Sequence, residues 1–261
     1  MIFLKLGGSL ITDKTGVEAV RQEILAQVAA EIAAARRENP GLRLLVGHGG
    51  GSFGHVAAAK YGTRQGVATA AQWLGFAQVQ AAMARLNRLV VEALLAADVP
   101  ALSLQPSASV RCENGRLTHI AADPVLAALD AGLVPVIYGD VAFDTEIGGT
   151  IVSTEEVMMA LADALHPSWL LLAGEVAGVL DEAGDVIPFI SAVNFDEIKS
   201  VLGGSRGADV TGGMASKVNS MLALVARQPA LSIRILSGLE KGLIGAALAA
   251  PENAGGTKIS P

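Results

Sequence analysis

Three short segments of the chain gather glycine and lysine in a pattern that points to anion chemistry. The first is Lys5, Gly7, Gly8 and Ser9, where an apolar run delivers a lysine into a Gly-Gly-Ser turn. Paired glycines let a backbone approach an anion closely, and successive N–H groups can cradle phosphate oxygens. A plain strand-ending turn with a solvated lysine explains this tetrad equally well. The second segment reads Gly47, His48, Gly49, Gly50, Gly51, Ser52, Phe53, Gly54, His55. Its five glycines cost chain entropy on ordering, and bare backbone wrapped against phosphate at a helix N-terminus answers that cost. It lacks the Gly-Lys-Ser/Thr ending of a P-loop, and no acidic residue follows at the distance a dinucleotide fingerprint requires. The third segment, Asp209 to Lys217, opens a helix with Gly212 and Gly213 and sets a lysine one turn inside. Lys5, Lys14 and Lys217 together offer three cations for the charge that develops in a phosphoryl transition state.

Histidine enters twice in the second segment. His55, closing the loop, either donates a hydrogen bond to a bound phosphate or caps and packs the following helix. His48, inside the turn, reads as a partner for backbone, and His119 and His166 have no chemical context.

The elements that must position these segments alternate along 261 residues. Strands are expected at Ile2 to Leu6, Leu42 to Val46, Ala101 to Leu104, Val134 to Tyr138, Leu170 to Ala173 and Ser232 to Leu236. Helices are expected at Val17 to Arg37, Ala71 to Ala97, Glu155 to Leu165 and Ala215 to Ala226. This is the βαβ rhythm of a mostly parallel sheet covered on both faces, an α/β fold. Residues Glu113 to Arg116 and Asp181 to Asp185 read as hairpin turns adding antiparallel strands at a sheet edge, and Gly203 to Asp209 as a mobile loop. One continuous domain over 1–261 is expected.

Composition bounds the function. Apolar residues make up 51% of the chain, yet no run approaches the roughly 18 uncharged positions that span a bilayer. The stretch before Lys5 lacks the basic leader of a signal peptide, so a cytoplasmic protein without a membrane partner is expected. A net charge of −6 argues against nucleic acid as a partner. The single cysteine, Cys112, allows no intramolecular disulfide, and no His, Asp or Glu cluster has zinc-motif spacing, so no metal-ligating residues are assigned.

The motifs KLGGSLITDK at 5–14, GHGGGSFGH at 47–55, SLQPSA at 103–108, VPVIYGDV at 134–141, DVTGGMASK at 209–217 and GGTKI at 255–259 follow one another in a known order. In them the chain resembles the amino acid kinase superfamily, and within it the isopentenyl phosphate kinase branch. The resemblance implies an open αβα sandwich, dimeric as in most relatives. It places the acceptor over about 1–165 and ATP over about 166–261, with transfer of the terminal phosphate of ATP to a small phosphorylated isoprenoid and a need for Mg²⁺. It further implies that Lys5, Lys14 and Lys217 stabilise the transferring group, with His55 beside the acceptor. Lys5, Gly7, Gly8, Ser9, Gly51, Gly174, Gly212, Gly213 and Lys217 would meet the nucleotide. Gly50, Gly54, His55 and Gly139 would hold the acceptor phosphate, and Phe76, Val79, Val141 and Ile151 its hydrocarbon tail, positions that serve equally well as ordinary core.

Two positions depart from the branch. Glu155 stands where an aspartate orients the active-site lysines, and one methylene moves a carboxylate by about an ångström. Ala177 replaces an aspartate in the nucleotide-side segment Gly174 to Gly178. Two alternatives therefore stay open: a kinase for a phosphonate such as fosfomycin, and a non-catalytic nucleotide or oxyanion binder of the same fold.

Overall fold

The computed structural model describes residues 1–201 and 213–261. In chain order its N-terminal half runs β1 (Ile2–Leu6), α1 (Gly8–Ile11), α2 (Gln22–Glu38), β2 (Leu44–His48), α3 (Gly51–Tyr61), α4 (Ala70–Ala96), β3 (Ala101–Ser103), β4 (Val110–Glu113), β5 (Arg116–Ile120) and α5 (Asp123–Asp130). There follow β6 (Val134–Tyr138), β7 (Asp140–Asp144), β8 (Gly148–Val152), α6 (Thr154–Leu165), β9 (Trp169–Gly174), β10 (Phe189–Ile190), α7 (Phe195–Val201), α8 (Gly213–Arg227), β11 (Ser232–Ser237), α9 (Leu243–Ala249) and β12 (Thr257–Ile259).

An eight-stranded sheet in the order β10-β12-β11-β9-β1-β2-β6-β3 carries the molecule. Its pairs are parallel except β11 with β12. Because side chains alternate across a strand, each inner strand feeds two cores. Leu4 and Leu6 of β1, with Val46, Val136 and Leu171, pack under α2, α4 and α9. Phe3, Leu45, Ile137, Leu170 and Ile233 face the other way, against α5, α6 and α8. Both faces are thus covered, and the result is the expected αβα sandwich.

Local chemistry sets the element ends. Thr69 and Gln72 form a reciprocal capping box at the start of α4, as Ser153 and Glu156 do for α6. The helix expected from Val17 begins only at Gln22, because Thr12 and Val20 bridge antiparallel and hold the intervening residues as a loop.

The 113–116 hairpin adds antiparallel strands at a sheet edge, as expected. Asn114 and Gly115, both at positive φ, turn β4 into β5, but the pair joins β7 and β8 in a separate four-stranded sheet, order β5-β4-β7-β8. The Asp144 carboxylate fastens it by accepting the N–H groups of Asn114, Gly115, Glu146 and Ile147. The turn at Asp181 to Asp185 closes a single bridge, Leu180 with Val186, and adds no strand to the large sheet. The expected loop at Gly203 to Asp209 lies outside the described residues.

Candidate active site

Strand register decides which loops meet. Tyr138, His48, Leu6, Ala173 and Leu236 stand side by side across β6, β2, β1, β9 and β11. The next residues are Gly139, Gly49, Gly7, Gly174 and Ser237, so the glycine segments separated in sequence open along one carboxyl edge of the sheet. Such an edge is where open α/β sheets bind ligands. From Gly139 to Gly174 the row spans about 14 Å, three strand spacings of about 4.8 Å each.

The first two glycine segments interlock. A Cβ on Gly8 would lie 2.3 Å from the Gly51 nitrogen and 2.8 Å from its Cα, and one on Gly49 would lie 2.7 Å from the Gly8 nitrogen. Gly51 adopts φ +48, and a side chain there would strike Thr12 Oγ1 at 1.9 Å. Thr12 also accepts the Ser52 N–H at 3.0 Å. Bare backbone is therefore required at this junction. Among the described residues, the N–H groups of Gly8, Ser9, Gly50 and Gly51 carry no hydrogen bond to the protein. Four open donors at one junction have the arrangement that an anion cradle needs.

A lysine precedes it on β1. Lys5 lies between Gly47 and Leu172 in the sheet, and its Nζ sits 2.6 Å from Glu155 Oε1 in the first turn of α6. Burial works to raise the Glu155 carboxyl. The charge and hydrogen bond of Lys5, its own backbone N–H and the charge of Lys217 hold it below the ordinary value instead. One carboxylate thus feels two of the three expected lysines, and the longer Glu155 reaches Lys5 directly. Lys14 projects from the loop after α1, largely exposed, with its Nζ 3.9 Å from Glu175 Oε2.

At the end of β6, a Cβ added to Gly139 would lie 3.2 Å from the Thr154 nitrogen, at the start of α6. Gly50 and Gly54 both turn bare faces to Met83 of α4, whose sulfur would lie 2.8 and 2.9 Å from a Cβ at either position. Gly54 therefore serves helix packing. His55 lies within α3, and its side chain, like Gly212, falls outside what is described. Phe76, Val79 and Val141 are buried in one cluster with Val67, and Ile151 packs against it, so the four tail positions meet.

His48 is structural, and it ends β2 rather than standing inside the turn as expected. Fully buried, it is pushed down to about 4 by loss of solvation, against the opposing effect of its bonds to the Gly49 carbonyl and Asn87. It stacks on Tyr138 at 5.5 Å. Thr154 donates to the His48 carbonyl at 2.6 Å, tying α6 to the cradle.

Sequence reasoning left several supporting groups unassigned. Asp140 is fully buried and accepts N–H bonds from Ser107 and Val141, which joins the Gly139 turn to the 106–108 helical turn. Burial raises its carboxyl to about 6, against those bonds. A Tyr-Gly-Asp turn beside a Ser-rich segment was the available signal. Arg21, 2.9 Å from Glu175, left no local signal at all.

Comparison with known proteins agrees with this geometry. The model of the amino acid kinase family matches residues 1–237. The chain is 32% identical to the isopentenyl phosphate kinase of Methanothermobacter thermautotrophicus, over 100% of this chain and 99% of that protein. It is 42% identical to the isopentenyl phosphate kinase of Haloferax volcanii, over 86% and 88% of the two chains. It superposes on a solved isopentenyl phosphate kinase structure with a TM-score of 0.84 and 30% identity, covering 100% of both chains. The chain belongs to the amino acid kinase family, in the branch of the isopentenyl phosphate kinases.

Proposed function

We propose that the chain transfers the terminal phosphoryl group of ATP to isopentenyl phosphate, releasing ADP and isopentenyl diphosphate. The observation that carries this reading is the Lys5–Glu155 pair, with the Lys217 charge acting on the same carboxylate, on the strand that leads into the open N–H groups of Gly8, Ser9, Gly50 and Gly51. An acceptor phosphate oxygen attacks the terminal phosphorus as the bond to the ADP oxygen breaks. The acceptor is already an anion near neutral pH, so no strong general base is needed. Lys5, Lys14 and Lys217 offset the charge on the transferring group, and Glu155 fixes the Lys5 ammonium.

The nucleotide occupies Gly174 and the start of α8, in the half from about 166 onward, and reaches Gly7, Gly8, Ser9 and Gly51 of the other half. The acceptor phosphate lies by Gly50, His55 and Gly139, in the half before it. The cluster of Phe76, Val79, Val141 and Ile151 supplies an apolar lining for a hydrocarbon tail, which favours an isoprenoid over a small polar phosphonate. Lysines at all three expected positions favour turnover over passive oxyanion binding.

Mg²⁺ would neutralise charge on the ATP phosphates. Among the described residues no three His, Cys, Asp or Glu side chains converge, a donor set that fits an ion held mainly by the nucleotide. The reading includes a homodimer, supported by β3 ending the sheet with an open edge at exposed Leu102. It also includes a cytoplasmic setting; no described helix is long and apolar enough to cross a membrane.

The test is phosphorus NMR of purified protein with Mg-ATP and, separately, isopentenyl, dimethylallyl and geranyl phosphates and fosfomycin. Isopentenyl diphosphate is the expected product. Turnover confined to fosfomycin, or ATP binding without transfer to any acceptor, overturns the reading.

A further inference from the structure

The loop that carries Lys14 is firmly held on its acceptor side. The Asp13 N–H donates to the Ala19 carbonyl at 2.8 Å, and the Ala19 N–H donates to Ser52 Oγ at 3.2 Å. Arg85 of α4 grips Glu18 with both Nε, at 3.0 Å, and Nη2. Glu18 itself stands at φ 51, a conformation that a residue with a side chain keeps only when its surroundings over-determine it.

The backbone of the loop is thereby fixed, while the Lys14 side chain is 72% exposed on a flexible four-carbon stem. One described group from the other half of the sheet reaches it. Glu175, the first residue beyond β9, places Oε2 3.9 Å from Lys14 Nζ and Oε1 2.9 Å from Arg21 Nη1. Arg21 is in turn anchored at the far end of the same loop, its N–H donating to the Ile11 carbonyl at 2.9 Å.

We infer that Glu175, held in place by Arg21, is a positioning residue for Lys14, keeping its ammonium over the ends of β1 and β9 where the phosphoryl group passes. The inference rests on the role given to Lys14 in the proposed reaction. An isolated exposed ion pair holds a lysine poorly, because both side chains must be ordered for a screened attraction. A carboxylate already ordered by a second cation removes half of that cost. The closer contact belongs to Arg21, so Lys14 is guided without being fully neutralised, and its charge stays available to a phosphate. The extra methylene of Glu175 over an aspartate extends its reach toward the loop.

Glu175→Gln keeps the shape and removes the charge. The expected result is a kcat about tenfold to a hundredfold lower, with the melting temperature unchanged. KM for ATP and for acceptor should stay within about twofold, because the lost interaction acts on the transition state. Arg21→Gln, which leaves the carboxylate unanchored, should lower kcat in the same direction. The decisive measurement is a double-mutant cycle. Once Lys14 is replaced by Ala, adding Glu175→Gln should cost no further turnover, whereas additive losses overturn the inference. If Lys14→Ala alone loses turnover while Glu175→Gln keeps it, only the positioning role fails. If Lys14→Ala keeps full turnover, the catalytic role of Lys14 fails first.

Discussion

Replacing Gly8 with Ala tests whether the two glycine segments are locked together as described. The added carbon would stand 2.3 Å from the Gly51 nitrogen, 2.8 Å from the Gly51 Cα and 3.2 Å from the Gly49 carbonyl carbon. All three are backbone atoms, so no flexible side chain can swing aside. Restoring ordinary contact means separating the segments by about 1 Å, a displacement that in a phosphoryl-transfer site costs on the order of a hundredfold in kcat. The Gly51 segment cannot drift freely, since Ser52 is bonded to Thr12 and Gly51 holds φ +48. Overpacking of this kind also costs about 1–3 kcal/mol of stability, read as a fall in Tm of about 2–4 °C per kcal/mol for a chain of this size. Steady-state assay of ADP release and thermal unfolding measure both effects, and calorimetric ATP titration separates lost binding from lost turnover. Gly41→Ala is the control, because its Cβ would approach nothing nearer than Asn39 Oδ1 at 3.6 Å. A Gly8→Ala protein with unchanged kcat and Tm would refute the interlocked cradle.

Three further outcomes follow from the same geometry. Glu155→Gln removes the charge that faces Lys5 at 2.6 Å and should lower kcat by on the order of a hundredfold, with ATP affinity nearly retained in calorimetry. Gly149→Ala places a Cβ 2.8 Å from the Phe76 ring and drives that ring into the tail cluster, so acceptor KM should rise several-fold while ATP KM stays constant. Asp140 has a folded-state carboxyl raised from 3.8 to about 6, so between those values the folded chain binds more protons than the unfolded one. Its contribution therefore favours folding at low pH and is lost as pH rises through about 6. Urea unfolding should show the native protein gaining stability relative to Asp140→Asn as pH falls from about 6 to about 4, and a pH-independent difference would count against the buried carboxylate.

Much of the frame was written in local pattern. β1 and β6 lie at the expected residues, and α4 begins within one residue of its expected start, because apolar periodicity and capping chemistry act over a few positions. The glycine segments also signalled close backbone approach locally, which the contacts of Gly8, Gly49 and Gly51 require. Other features arose only from pairing at long range. The 113–116 hairpin declares its turn through Asn114 and Gly115, but whether it borders the large sheet or joins β7 depends on partners 30 residues away, and Asp144 decides it. Residues 17–21 carry a helix-compatible pattern that the Thr12–Val20 bridge overrides.

The sequence by itself determined that this chain builds a covered parallel sheet and sets bare backbone and lysines at its strand ends. Only the tertiary structure decided which charges face one another: Glu155 with Lys5 across 150 positions, and Glu175 with Arg21 and Lys14. Strand propensity and glycine content are properties of neighbouring residues, whereas a carboxylate's partner is set by sheet register and helix approach, which no local window contains.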